Sequence, residues 1–372
     1  MMMELENFTT LDAVEDPQLD NNGTNLVWDT FCDFHVENLP SRAVVMLVLC
    51  VLGTLGNGCV LFLFATVKRL RTATNALILN LALGDTLLFL ITVPLKVETD
   101  LHPCWQFGRV ICKAASAGET VAHGVSVFTL TALSIDRYCS LVMGHRRDSS
   151  RRFALVAVLA IWCLSLIHGV PLLIMAEQHG YWSCKPLPYF THSARVFFTA
   201  TFTTMYIIPL TTMTYCYANM ARVLIQHHRA GQTSESQPSD STPVPRDQSG
   251  RQTHRLAVVV LLLVISFGLF WFPHHFYNMW ANYQDLTADP SAISRSLSLV
   301  NIPFYMTLVN STLNPYVILL ISNTFRQALT QCCHRNASRR RAGCGDTAVT
   351  PQDTSLSQYD VGRELGHLNE VI

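Results

Sequence analysis

The sequence predicts an all-α membrane protein, a seven-transmembrane helix bundle with a short amphipathic helix after the seventh span. Three observations carry this. Hydrophobic residues make up 49% of the 372 residues and charged residues only 14%, which is sparse for a soluble chain of this length. Seven apolar stretches, roughly 41–67, 74–98, 109–142, 151–176, 194–225, 254–281 and 295–321, are each long enough to span, since a helix rising ~1.5 Å per residue must cross ~30 Å of hydrocarbon. Basic residues gather in alternate connections between them.

That alternation sets the orientation. Lys68, Arg69 and Arg71 follow the first stretch, and Arg146, Arg147, Arg151 and Arg152 follow the third. Arg229, Arg246 and Arg251 follow the fifth, and Arg335 and Arg339 to Arg341 follow the seventh. The other connections carry Glu98, Asp100, Asp285 and Asp289. The positive-inside rule then places the N-terminus outside and the C-terminus inside, in a multi-pass plasma-membrane protein.

Four regions follow. Residues 1–40 form an acidic extracellular tail, with nine carboxylates between Glu4 and Glu37 and no Lys or Arg. The sequons at Asn7 and Asn22 make it a glycosylated one. The opening MMMELENFTT lacks an apolar core, so the first span is expected to direct insertion without a cleaved signal. Residues 41–322 form the spanning domain. The Ser/Pro/Gln-rich loop at 229–250 within it reads as a solvated linker. An amphipathic helix over 323–333 ends on Cys332 and Cys333, read as palmitoylation sites or as a pair of free thiols. A cytoplasmic tail fills 334–372.

The third stretch is the central helix. Cys112 stands near one end and the Asp136-Arg137-Tyr138 triplet at the other. Glu119 and His123, four apart, share a face between them. A carboxylate facing lipid is very costly, so this helix must be enclosed by others. Glu119 is protonated, pairs with His123 or awaits a basic ligand group; all three stay open. Asp85, mid-way along the second stretch, needs polar partners too, and Ser126, Asn310 and Asn314 can supply oxygens. Those residues make either a sodium site or protonatable switch, or a structural hydrogen-bond hub.

Cys112 and Cys184 both fall on the outer, oxidising side, where a disulfide would tie the loop after helix four over the bundle. Cys104 could pair with Cys32 on the same side. Prolines 94, 171, 209, 273 and 315 interrupt five of the spans, as bends or hinges. His274 and His275 are adjacent, diverge on a helix and make a poor metal pair. No zinc-protease motif, nucleotide fingerprint or nucleophile elbow is present, so no enzyme is expected. No cofactor is expected beyond an allosteric sodium ion, and no nucleic acid.

Over about 40–335 the chain resembles the rhodopsin-like (class A) G-protein-coupled receptors. The resemblance is carried by Gly56-Asn57, the LALGD run ending at Asp85, Trp105, Cys112, Asp136-Arg137-Tyr138 and Trp162. Pro209 with Tyr217, Phe267 with Trp271 and Pro273, and Asn314-Pro315 complete it. Within that family, GVSVFTLTALSIDRY (124–138), RVICK (109–113) and WFPHH (271–275) are similar to bombesin receptors. Asn75-Ala76-Leu77 is similar to endothelin receptors. Ile318 stands where the family usually has tyrosine. Gly144 replaces a common proline, and His145 occupies the usual apolar contact with the G protein.

The resemblance implies a receptor for an extracellular peptide, with heterotrimeric G protein inside and arrestin and membrane lipid as further partners. Gq coupling is what the bombesin likeness implies. Ligand contacts are expected from Glu119, His123, Lys96, Arg195, His274, Asn278 and Phe304. Trp271, Phe267, Pro273, Asn314, Pro315 and Tyr217 form the expected switch. Asp136, Arg137, Tyr138 and His145 form the G-protein face. The acidic tail suggests a basic ligand. The alternatives are a scavenging or constitutively active receptor of the same fold, and a transporter or channel, which would need a polar path through the bundle.

Overall fold

The computed structural model describes residues 41–101, 105–143, 151–179, 183–185, 191–234, 247–283 and 301–332. Seven long helices appear: α1 Ser41–Thr66, α2 Ala73–Leu101, α3 Gly108–Leu141, α4 Arg151–Met175, α5 His192–Ser234, α6 Asp247–Tyr283 and α7 Asn301–Ile321. An eighth, α8, covers 323–332 and buries Phe325 and Ala328. Six of the seven are long and apolar enough to cross a membrane by composition. The exception is α3, whose Glu119, Asp136 and Arg137 dilute its hydropathy. It is the innermost helix, packing on α2, α4, α5 and α6, while α7 closes the ring against α1.

The bundle's outer surface is apolar, and within its largely apolar core a set of polar side chains is buried. Leu155, Val156, Leu159, Ile167 and Ile174 of α4 are exposed, whereas Asn57, Asn80, Asp85, Ser126 and Asn314 are buried. Only a lipid surround makes that distribution stable, since apolar side chains then meet acyl chains and polar ones must bond each other. Asn80 shows how. Its Nδ2 donates to Thr129 Oγ1 at 2.8 Å and its Oδ1 accepts from Trp162 Nε1 at 2.9 Å, joining α2, α3 and α4. Asn57 Nδ2 donates to the Ser311 carbonyl at 3.3 Å and joins α1 to α7.

Local chemistry sets the helix ends. Thr72 Oγ1 accepts from the Asn75 amide at 3.3 Å and Thr191 Oγ1 from the Ala194 amide at 3.1 Å, capping α2 and α5. Before α3, Trp105 Nε1 donates to the Gly108 carbonyl at 2.9 Å, and Gly108 takes φ +73°, which favours glycine. The linker read at 229–250 is shorter than its composition suggests, because α5 continues to Ser234 and α6 begins at Asp247.

The prolines act in two ways. Pro171, Pro273 and Pro315 lie inside α4, α6 and α7. Pro94 and Pro209 instead follow π turns, at Leu88–Thr92 and Thr203–Ile207, where the Val93 amide reaches back to Leu88 and the Ile208 amide to Thr203. A proline ring removes a donor and crowds the carbonyl four residues earlier, and one wider turn accommodates both.

Candidate functional site

A cavity opens among α2, α3, α5, α6 and α7. Lys96, Glu119, His123, Trp271, His274, His275, Asn278 and Phe304 all line it. Six of the seven residues expected to contact a ligand are therefore brought together. Arg195 stands apart from this lining. Its Nε donates to the Asn282 carbonyl at 3.0 Å, and its guanidinium lies 5.7 Å from the Tyr283 ring centre. Lys96 Nζ sits 5.4 Å from the centre of the Phe304 ring.

Glu119 and His123 share the cavity without joining. Among the described residues Glu119 has no hydrogen bond and no ion pair, although it is half-buried. His123 lies flat on Trp271 instead, ring centres 3.5 Å apart and planes within 7°. His275 packs 5.3 Å from His123 and 5.0 Å from Tyr206, and Phe267 extends the cluster at 6.3 Å from Trp271. The sequence indicated a helical neighbour for His123; which ring it would meet on α6 was decided by packing. His274 and His275 do diverge, their rings standing at 89°.

Below the cavity, Asp85 is fully enclosed and accepts three hydrogen bonds. Ser126 Oγ donates at 2.8 Å and Ser311 Oγ at 2.9 Å to one oxygen, and Asn314 Nδ2 donates at 2.8 Å to the other. Ser126 and Ser311 also line the cavity, so ligand space reaches the carboxylate's own partners. Asn310 makes no bond to Asp85; both its amide atoms are buried without a partner, as is Asn314 Oδ1. Ser311 was not foreseen. Its place three residues before Asn314, on one helical face, was the available signal.

At the far end of α3 from Cys112, Arg137 forms an ion pair with Asp136, and its Nη2 donates to Thr74 Oγ1 at 2.8 Å. Thr74 in turn donates to Asp136 at 3.1 Å, closing a triad between α2 and α3. Tyr217 hydroxyl donates to the Ala257 carbonyl at 3.3 Å, linking α5 to α6. Tyr138 packs 6.1 Å from Tyr215, and Ile318 is buried. Gly144, His145, Cys333, Cys32, Cys104, Asn7 and Asn22 lie outside the described residues.

At the opposite end, Cys112 and Cys184 form a disulfide, Cα atoms 5.5 Å apart. Cys184 sits on β2 (Ser183–Lys185), which pairs antiparallel with β1 (Glu177–His179). The hairpin is thus pinned to the top of α3. Linking residues 72 apart corresponds to about 4 kcal/mol in the chain-entropy account of disulfides.

A multi-pass membrane bundle with a cavity between its helices, a disulfide-pinned hairpin at one end and an arginine triad at the other defines a class of signalling receptor rather than an enzyme. The comparisons name it. The profile of the 7 transmembrane receptor (rhodopsin family) matches residues 56–317, and the chain belongs to that family. It is 30% identical to the neuropeptide CCHamide-1 receptor of Drosophila melanogaster, over 84% of this chain and 65% of that one, just under two thirds of its length. It is also 30% identical to galanin receptor type 1 of Homo sapiens, over 80% of this chain and 83% of the relative. The mouse galanin receptor type 1 matches at the same identity, with 80% and 83% covered.

Proposed function

We propose that this protein is a plasma-membrane receptor for an extracellular peptide, and that the bound peptide shifts the bundle to a state that activates a heterotrimeric G protein. The observation that carries the reading is Glu119, a carboxylate on the cavity wall with no partner among the described residues. A half-buried carboxyl group without a partner is one that a basic ligand group can pair with. The relatives named for neuropeptides and for galanin support a peptide as its carrier.

In this reading the N-terminal tail is extracellular and glycosylated, its acidity attracts cationic peptides, and the C-terminus is cytoplasmic. The Arg137–Asp136–Thr74 triad and the Tyr217 bond to α6 belong to the resting state. Outward movement of α6, relayed through Trp271 and Phe267, frees Arg137 and Tyr217 for the G protein, with Gq the favoured class. Arrestin follows on the same face, and palmitate on Cys332 and Cys333 holds α8 at the lipid surface. Asp85, with Ser126, Ser311 and Asn314, holds a sodium ion in the resting bundle. The unpartnered Asn310 and Asn314 oxygens fit that reading, because a hard cation takes oxygen ligands.

The test is nucleotide exchange on reconstituted Gq, Gi and Gs with a neuropeptide library, in wild type and Arg137→Ala. An active peptide whose exchange is lost in Arg137→Ala, with binding retained, supports the reading. Full exchange by the variant removes Arg137 from the interface. Ion flux with no exchange removes the receptor reading.

A further inference from the structure

Between α4 and α5 the apolar outer surface is broken by a polar notch. α4 packs on α2 and α3, and the ring of Phe128 on α3 lies 5.8 Å from that of His168 on α4. His168 Nε2 meets Thr204 Oγ1 of α5 at 2.9 Å and bridges the two helices. Their neighbours Leu164, Ile167, Ile207 and Ile208 are exposed. Polar groups on such a surface are costly unless something satisfies them.

The notch is short of protons. A neutral imidazole carries one, and the Leu164 carbonyl, which only accepts, draws it to Nδ1 at 2.9 Å. Nε2 is then an acceptor facing the Thr204 hydroxyl, whose single proton is also directed at the Ala200 carbonyl at 2.7 Å. One proton serves two acceptors. The Thr204 backbone adds another. In an unbroken α-helix the Ile208 amide would bond the Thr204 carbonyl, but at the π turn it reaches Thr203 instead. The next residue is Pro209, which has no N–H to offer. In α2 the equivalent carbonyl, that of Phe89 before Pro94, is bonded by Cys50 Sγ at 3.3 Å. No side chain among the described residues does the same for Thr204. At membrane depth no water removes that deficit either.

We infer that this notch binds a sphingolipid, held through its amide N–H and the hydroxyl on the neighbouring carbon. Two acceptors lack a proton, His168 Nε2 and the Thr204 carbonyl. One touches the Thr204 side chain and the other belongs to its backbone, so both stand within reach of two adjacent donors. A phosphatidylcholine has no donor to give, and a sterol has one. The depth agrees with this choice. His168 lies two turns before Met175, the end of α4, which is roughly 10 Å at the helical rise. The notch is therefore near the Cys112–Cys184 end, below the level of lipid head groups. In the orientation proposed above that end faces outward, in a plasma membrane rich in sphingolipid.

The experiment uses the purified full chain in phosphatidylcholine nanodiscs carrying sphingomyelin with a photoactivatable diazirine in its acyl chain. Both leaflets hold the probe, so the outcome is independent of orientation in the cell, and failure leaves the peptide reading untouched. Crosslinked fragments should map to α4 and α5 around His168 and Thr204. Unlabelled sphingomyelin should displace the probe. Dipalmitoyl phosphatidylcholine, which shares its head group and lacks both donors, should not. Losing one hydrogen bond weakens binding about five- to tenfold, so His168→Phe should cut labelling by that factor. Pro209→Ala, which restores an amide to the turn, should cut it too, and Val51→Phe on the exposed face of α1 should not. Labelling spread evenly over the lipid-facing helices, or equal displacement by phosphatidylcholine, overturns the site. Unchanged labelling in both His168→Phe and Pro209→Ala also overturns it. Cholesterol displacing the probe as well as sphingomyelin does would overturn the two-donor assignment.

Discussion

The imidazole of His123 lies 3.5 Å above the indole of Trp271, the two planes 7° from parallel. One ring comes from α3, the innermost helix, and the other from α6, two residues before Pro273. A ring clamped at that position couples the central helix to the one that carries Pro273.

Removing the clamp is therefore expected to raise basal activity. Aromatic pairs contribute about 0.5–1.5 kcal/mol beyond their buried area, which is roughly a two- to tenfold change in a two-state equilibrium. His123→Ala should raise agonist-free nucleotide exchange by that factor, and His123→Phe, which restores a ring, should not. Unchanged basal exchange in His123→Ala at equal surface expression would mean that Trp271 is held by something else.

Sodium should stabilise the wild-type receptor through Asp85. A ligand that binds only the folded state adds about 1.4 kcal/mol at ten times its Kd. Replacing N-methylglucamine chloride by sodium chloride at constant ionic strength should raise Tm, and the rise should vanish in Asp85→Asn and shrink in Ser311→Ala. Equal rises in wild type and Asp85→Asn would leave Asp85 as a hydrogen-bond hub between α2, α3 and α7.

Gly56 and Gly58 should respond oppositely to alanine. A Cβ on Gly56 would stand 2.7 Å from Pro315 Cγ, whereas one on Gly58 would meet nothing within 4 Å. Overpacking a tight contact costs about 1–3 kcal/mol, so Gly56→Ala should lower Tm and surface delivery. Gly58→Ala should be neutral or slightly stabilising, since glycine is a poor helix former. Thermal unfolding of the two purified variants decides it; equal Tm values would show that α1 and α7 slide apart at little cost.

Glu119→Gln should weaken an activating peptide by about 2–5 kcal/mol, the range for stripping one partner from a buried charge pair. Neutralising the matching cation on that peptide should then cause little further loss in the variant. Radioligand competition in a double-mutant cycle measures this, and fully additive losses would show that the peptide's charge sits elsewhere.

Much of this molecule is determined by sequence alone. Seven apolar stretches set the number of spans, and the carboxylates of Asp85 and Glu119 within them require enclosure, because hydrocarbon offers no hydrogen bonds. Cys112 and Cys184 are two of the four cysteines the sequence puts on one expected face, and the structure is what joins them. What the sequence does not determine is which side chain meets which across helices. A period of 3.6 residues assigns each residue to a face of its own helix but leaves that helix free to rotate against its neighbours. Each π turn then inserts about one extra residue, re-aiming everything beyond Leu88–Thr92 in α2 and beyond Thr203–Ile207 in α5. So only the packed bundle decided that His123 lies on Trp271 and not against Glu119, that Ser311 and not Asn310 bonds Asp85, and that Arg195 turns to Asn282 and away from the cavity.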